Sequence, residues 1–202
     1  MVKRTVTSRL PTRYGEFLLH AYLEEREAEA ARVHLALVRG SIDSESEPLL
    51  RIHSECLTGD LLASIRCDCG EQLDQALAAI GEAPAGILIY LRQEGRGIGL
   101  LNKLRAYNLQ DDGLDTVEAN IHLGFEPDER DYSVAVDILE DLGVMAIRLL
   151  TNNPNKVAAF ERSRVQVIER VPLVVSETAE NANYLETKRR RLGHMRGGGP
   201  LA

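Results

Sequence analysis

The 202-residue sequence predicts a mixed α/β fold: antiparallel strands at the N-terminal end, then alternating strands and helices, in one compact domain. Two observations carry this. Up to about residue 55 the apolar segments are short and divided by charged or turn-forming residues, the pattern of an antiparallel sheet or small barrel. From about residue 65 the apolar pattern switches between helical spacing and short continuous runs, the alternation of an α/β layout.

Residues 17–23 and 33–38 are the first apolar strand segments, with a charged stretch between them. Gly40 and the polar residues 41–48 form a turn before a further strand at 49–53. Leu73, Ala76, Leu77 and Ile80 recur at helical spacing, and residues 86–91 form a buried type of strand. Leu100, Leu101, Leu104 and Tyr107 mark a second helix. Val134, Ile138, Leu139 and Leu142 mark a third, closed by Gly143 where a left-handed cap is favoured. Residues 146–150 are a strand, and Pro154 suits the first position of another helix. A last strand at 165–168 is expected to continue through 172–175. Lys188 to Arg191 read as a frayed helix, which gives a domain at 1–195 and a flexible tail at 196–202.

Charge and length exclude several classes. There are 24 Lys+Arg against 31 Asp+Glu, a net charge of −7, which argues against broad nucleic-acid binding. No apolar run approaches the ~20 residues of a membrane helix. No secretory signal is evident, so a cytoplasmic location is expected. The three cysteines are an odd number, which cannot all pair as disulfides.

Cys56, Cys67 and Cys69 lie within fourteen positions of one another. In an extended segment Cys67 and Cys69 face the same side, and a reversal over Thr58, Gly59 and Asp60 returns Cys56 to them. Thiolates select Zn²⁺, and three protein ligands leave a fourth position for water. Two other readings stay open: three buried structural thiols, or a structural zinc completed by His53.

The stretch RQEGRGIG (92–99) follows a strand and opens a helix. Glycines there let backbone amides approach an anion, and Arg92 and Arg96 add guanidinium forks. Its spacing matches neither the dinucleotide fingerprint nor the P-loop, so a plain strand-to-helix turn also accounts for it. Asp115 or Thr116 suits a helix N-cap. Asp128 and its neighbours suit the dipole of the helix that follows; an Asp two positions before Arg130 also suits a proton acceptor beside a phosphate contact. Thr151 and Lys156 flank a turn at the usual ligand edge of an open α/β sheet.

Seven stretches together closely resemble GTP cyclohydrolase II, a family that opens riboflavin synthesis: RIHSECLTGD (51–60), RCDCGEQL (66–73), LRQEGRGIGLLNKLRAYNLQD (91–111), DTVEANIHLGF (115–125), DERDY (128–132), LLTNNPNKV (149–157) and ERVPL (169–173). The resemblance implies zinc-dependent opening of the imidazole ring of GTP, with release of formate and pyrophosphate and a phosphoribosylamino-pyrimidine left as product. It implies that Cys56, Cys67 and Cys69 bind zinc. Arg51, Ile52, His53, Ser54, Glu55, Gln72, Glu94, Gly95, Arg96, Thr116, Thr151 and Lys156 are then GTP contacts. Asp128 is similar to the family's proton acceptor, Arg130 to its nucleophile at the α-phosphate, and Tyr107 to a tyrosine needed for the full reaction. Mg²⁺ is expected with the triphosphate, and a homodimer with no nucleic-acid or membrane partner. At 202 residues the chain is expected to lack the dihydroxybutanone-phosphate synthase that some relatives carry.

A catalytically silent GTP-binding paralogue is the competing reading, although the cysteines, Tyr107, Asp128 and Arg130 are all present. A zinc nucleobase deaminase needs an H-x-E and a P-C-x-x-C, and neither occurs. A redox dithiol is a poorer match, because C-x-C beside a third cysteine suits metal better than a C-x-x-C pair does.

Overall fold

Seven strands form one mixed sheet in the order β1-β2-β3-β5-β4-β6-β7. The structure is a computed structural model that describes residues 2–26, 30–43 and 45–195. The expected tail at 196–202 lies outside the described residues.

The antiparallel half consists of β1 (Val2–Thr12), β2 (Gly15–Glu24) and β3 (Arg32–Arg39), and β3 then runs antiparallel to β5 (Gly86–Leu91). The other half is parallel: β5 beside β4 (Leu49–Ser54), β4 beside β6 (Ala146–Leu150), and β6 beside β7 (Gln166–Val171). The antiparallel and α/β patterns of the sequence are therefore two halves of one sheet. One expectation is corrected. The last strand ends at Val171, and residues 172–175 form no ladder. Pro172 has no N–H to donate to one.

Strand alternation splits the core into two layers. Leu50 and Ile52 of β4, Ile87, Ile89 and Leu91 of β5, and Ile147 and Leu149 of β6 face one side. There they pack on Val134, Ala135, Ile138 and Leu139 of α5 (Ser133–Asp141). Leu49, Leu88 and Leu150 face the other side, against Ala76 and Ile80 of α2 (Cys69–Glu82). These are the apolar residues that the helical spacing marked.

The chain passes from β4 through α2 to β5 on one flank. It then runs through α3 (Gly99–Asp111), α4 (Thr116–His122) and α5 to β6 on the opposite flank of β4. The strand order thus reverses at β4, and an open parallel sheet leaves its crevice at the carboxyl ends of such strands. Among the described residues no helix is long and apolar enough to cross a membrane.

Local signals fix the helix ends. Of Asp115 and Thr116, Asp115 is the N-cap of α4: its carboxylate accepts the Val117 and Glu118 N–H groups, and the Glu118 side chain returns to the Asp115 N–H. Gly143 takes φ +76° after α5. Pro154 opens α6 (Pro154–Ala158), capped by Asn153. Replacing Asp115 by Ala removes the carboxylate that accepts the Val117 and Glu118 N–H groups and leaves only the Glu118 half of the capping box. Thermal unfolding should show a loss of about 1 kcal/mol, or roughly 2–4 °C in a chain of this size.

Candidate metal centre and ligand cavities

The thiol cluster is assembled by two segments beyond the end of β4. Cys56 precedes the single turn α1 (Leu57–Asp60), whose Asp60 carboxylate accepts the Cys56 N–H at 2.9 Å. The same carboxylate accepts the Tyr90 hydroxyl at 2.8 Å and pairs with His53 Nε2 at 3.0 Å. His53 is committed to Asp60 and stands apart from the thiol group, which among the described residues consists of Cys56, Cys67 and Cys69. Cys67 and Cys69 do not sit on an extended segment. They flank Asp68, the N-cap of α2, and the turn into the helix brings their sulfurs together.

The three sulfurs lie within 4.8 Å of one another, with Cys56 Sγ and Cys67 Sγ 3.7 Å apart. A tetrahedral ion with ~2.3 Å metal–sulfur bonds holds its sulfurs about 3.8 Å apart, so the spacing fits a thiophilic metal. It is far from the ~2.05 Å of a disulfide. Gly59 packs beneath the cluster: a Cβ there would lie 3.1 Å from Cys67 Sγ and 3.2 Å from Cys56 Sγ. Hydrogen bonds from Cys67 and Cys69, reinforced by Lys103, hold the Cys56 thiol far below its ordinary pKa. Lys103 Nζ lies 3.0 Å from Cys56 Sγ and 2.8 Å from Glu94 Oε1. Burial alone would lower Lys103, but the Cys56 thiolate and Glu94 hold it protonated.

Two cavities meet at this cluster. The first is walled by the three cysteines, Glu94 to Arg96, Lys103, Tyr107 and Thr116. The second is walled by Arg51, His53, Gln72, Thr151, Lys156 and Lys188. Ser54, Cys69, Arg130 and Tyr184 line both. Of the metal, GTP-contact and catalytic residues that the resemblance marks, all but Ile52 and Asp128 line one cavity or the other, Glu55 included. The Ile52 side chain is in the core, and its carbonyl accepts Lys156 Nζ at 2.8 Å. Asp128 stands behind Arg130 and holds its guanidinium through both oxygens, at 2.7 and 2.6 Å. Arg92 is corrected as an anion fork: it pairs with Glu55 at 2.9 Å and lines neither of these cavities.

The second cavity concentrates positive charge. Arg51 and Lys156 are 4% and 5% exposed. Arg51 donates to the Leu150 carbonyl and to Gln72 Oε1, and its Nε is buried without a hydrogen-bond partner. Burial, and then the charges of Arg51, Arg130 and Lys188, push Lys156 well below the usual lysine range. Cations crowded this way favour a bound polyanion, which would restore the full charge of Lys156. In the glycine loop Arg96 takes φ +63°, left-handed for a side-chain-bearing residue. Both of its terminal nitrogens are buried without a hydrogen-bond partner.

Sequence reasoning missed Lys103, Tyr184, Lys188 and His194. Three of these had a signal in i,i+4 spacing: Lys103 with Tyr107, and Tyr184 with Lys188, share a helix face. Gly59→Ala should weaken the cluster's hold on added zinc by about tenfold, read by chelator competition, because a Cβ would push two sulfurs apart.

Comparison with known proteins bears on this geometry. A family model described as GTP cyclohydrolase II matches residues 3–172. The chain is 57% identical over 190 residues to GTP cyclohydrolase-2 of Pseudomonas paraeruginosa, covering 94% of this chain and 91% of that protein. It is 52% identical over 196 residues to GTP cyclohydrolase-2 of Escherichia fergusonii, covering 97% and 98%. Against riboflavin biosynthesis protein RibBA of Chlorobium phaeovibrioides it is 53% identical over 195 residues, and there it spans 96% of itself but 47% of the longer relative. By the extent of that family match and these near full-length identities, the chain belongs to the GTP cyclohydrolase II family.

Proposed function

We propose that the protein opens the imidazole ring of GTP hydrolytically, releasing formate and pyrophosphate, as the first step of riboflavin synthesis. The observation that carries this reading is the pair of adjoining cavities, one walled by three thiols and the other by buried cations, with Ser54, Cys69, Arg130 and Tyr184 between them. A nucleoside triphosphate has the matching division into a flat base and a polyanion.

The base enters the first cavity. Zinc held by Cys56, Cys67 and Cys69 would supply a water of pKa near ~7 to attack the ring carbon. Glu94, Arg96 and Thr116 offer hydrogen bonds around the ring. Tyr107 lines the same cavity, with its hydroxyl 3.1 Å from Thr58 Oγ1. Burial raises its pKa, so it keeps its proton at neutral pH. It is the group placed to give that proton to a ring nitrogen as the ring opens.

The triphosphate enters the second cavity as its Mg²⁺ complex. Arg51, Arg130, Thr151 and Lys156 bind its oxygens, and His53 and Gln72 complete the wall. A nucleophilic Arg130 would have to pass its proton to Asp128. Yet Arg130 sits above the usual arginine range and Asp128, although buried, below the usual carboxylate range, because each stabilises the charge of the other. That pairing favours Arg130 as a fixed cation at the α-phosphate, aimed by Asp128, over a nucleophile. Three unpaired thiols suit a reducing cytoplasm. Leu61, Leu62 and Ile65, 72, 65 and 62% exposed within one five-residue stretch, offer apolar surface that a second copy would cover in a homodimer.

Purified protein is expected to carry about one zinc per chain and, with GTP and Mg²⁺, to yield formate and pyrophosphate. If zinc-loaded protein binds GTP but makes neither product, the chain is a silent paralogue. Tyr107→Phe should still release pyrophosphate while formate falls by about a hundredfold or more, within the range for general acid catalysis. An equal fall in both products would remove Tyr107 from the ring chemistry.

A further inference from the structure

The last helix, α7 (Ala182–Leu192), lies over both cavities but belongs to neither apolar core cluster. Thr187 is its one fully buried residue. It is held by polar contacts. Lys188 Nζ pairs with Asp68 Oδ1 at 2.6 Å, Arg191 approaches Asp115 at 3.8 Å, and just past the helix the Met195 N–H reaches the Asn152 carbonyl at 2.9 Å. A helix docked by ion pairs and with little buried apolar surface belongs to the least stable part of a fold and opens at small cost.

What α7 places over the site is specific. Tyr184 lines both cavities, and the Arg96 guanidinium lies 5.8 Å from its ring centre. Lys188, one turn on, has a side chain 13% exposed and lines the cationic cavity with Arg51, Arg130 and Lys156. Its partner Asp68 is 3% exposed and also accepts from Gln72 Nε2. A buried lysine beside three other cations is held there by a single carboxylate. His194 lines the same cavity, and its Nδ1 is buried without a hydrogen-bond partner.

We propose that α7 is a hinged cover for the nucleotide, and that Lys188 binds a phosphate oxygen of the triphosphate when the cover closes, sharing or leaving Asp68. Tyr184 then forms the wall between the base and the phosphates. This rests on the reading of the second cavity as a triphosphate site and adds a substrate-binding residue to it.

The test uses zinc-loaded protein and two probes, a non-hydrolysable methylene-bridged GTP analogue and guanosine. Lys188→Met should weaken the analogue by about tenfold or more, the worth of one charge-assisted hydrogen bond, and leave guanosine binding and zinc content unchanged. Lys188→Arg should recover most of the loss. In the unmodified protein, hydrogen exchange of residues 182–192 should slow with the analogue and not with guanosine, a measurement that needs no variant to fold. Equal weakening of both probes would make Lys188 a structural prop. Unchanged analogue binding, or unchanged exchange, would overturn the proposal. Failure of the unmodified protein to bind the analogue at all would instead bring down the triphosphate reading on which it stands.

Discussion

One buried ammonium joins the parts of this site that chemistry requires to be close. Lys103, from α3, bridges the Cys56 sulfur and one oxygen of Glu94, while the other Glu94 oxygen accepts the Leu57 N–H. The first turn of α1, the glycine loop and α3 are thereby fixed to the thiol that begins the metal cluster. Removing one partner of so buried a pair would leave an uncompensated charge, at about 3–5 kcal/mol. Together with the hydrogen bonds from Cys67 and Cys69, the same bridge favours the ionised thiol, the form a metal requires.

A second carboxylate plays the corresponding part behind the cluster. Asp60 takes the Cys56 N–H, the Tyr90 hydroxyl and His53 together, so α1 is anchored to β4 and β5. With Gly59 flush against the sulfurs, a four-residue helix of little intrinsic stability becomes the floor of the site. The two cavities then differ in what they offer: the thiols, Tyr107 and Thr116 on one side, and the cluster of Arg51, Lys156 and Lys188 on the other.

Much of this was legible in the sequence. The period change near residue 65, Gly143 and Pro154 placed elements correctly because each signal is local. The cysteine spacing and the glycine loop pointed, for the same reason, to residues that the fold brings together at one cavity. The resemblance supplied Thr116, Thr151 and Lys156, whose local sequence reads equally well as caps and turns. What failed to show was tertiary. β1 is an edge strand with most side chains in solvent, so it carries almost no apolar signal. His53 looked like a ligand until Asp60 was seen beside it. Lys188 sat in an arginine-rich run that reads as a solvated end, because its partner Asp68 is 120 positions away.

The left-handed Arg96 has a consequence for affinity. Holding a side-chain-bearing residue in that conformation costs of order 1–3 kcal/mol, and the fold bears it before any ligand arrives. The adjacent Gly95, at φ +65°, makes the turn possible, and the Glu129 N–H to the Arg96 carbonyl, at 3.0 Å, pins it. An incoming ligand therefore meets a loop backbone already fixed in place and loses little binding energy to ordering it. That loop is preorganised; with α7 as the proposed cover, binding would divide into a rigid floor that selects and a loose cover that retains.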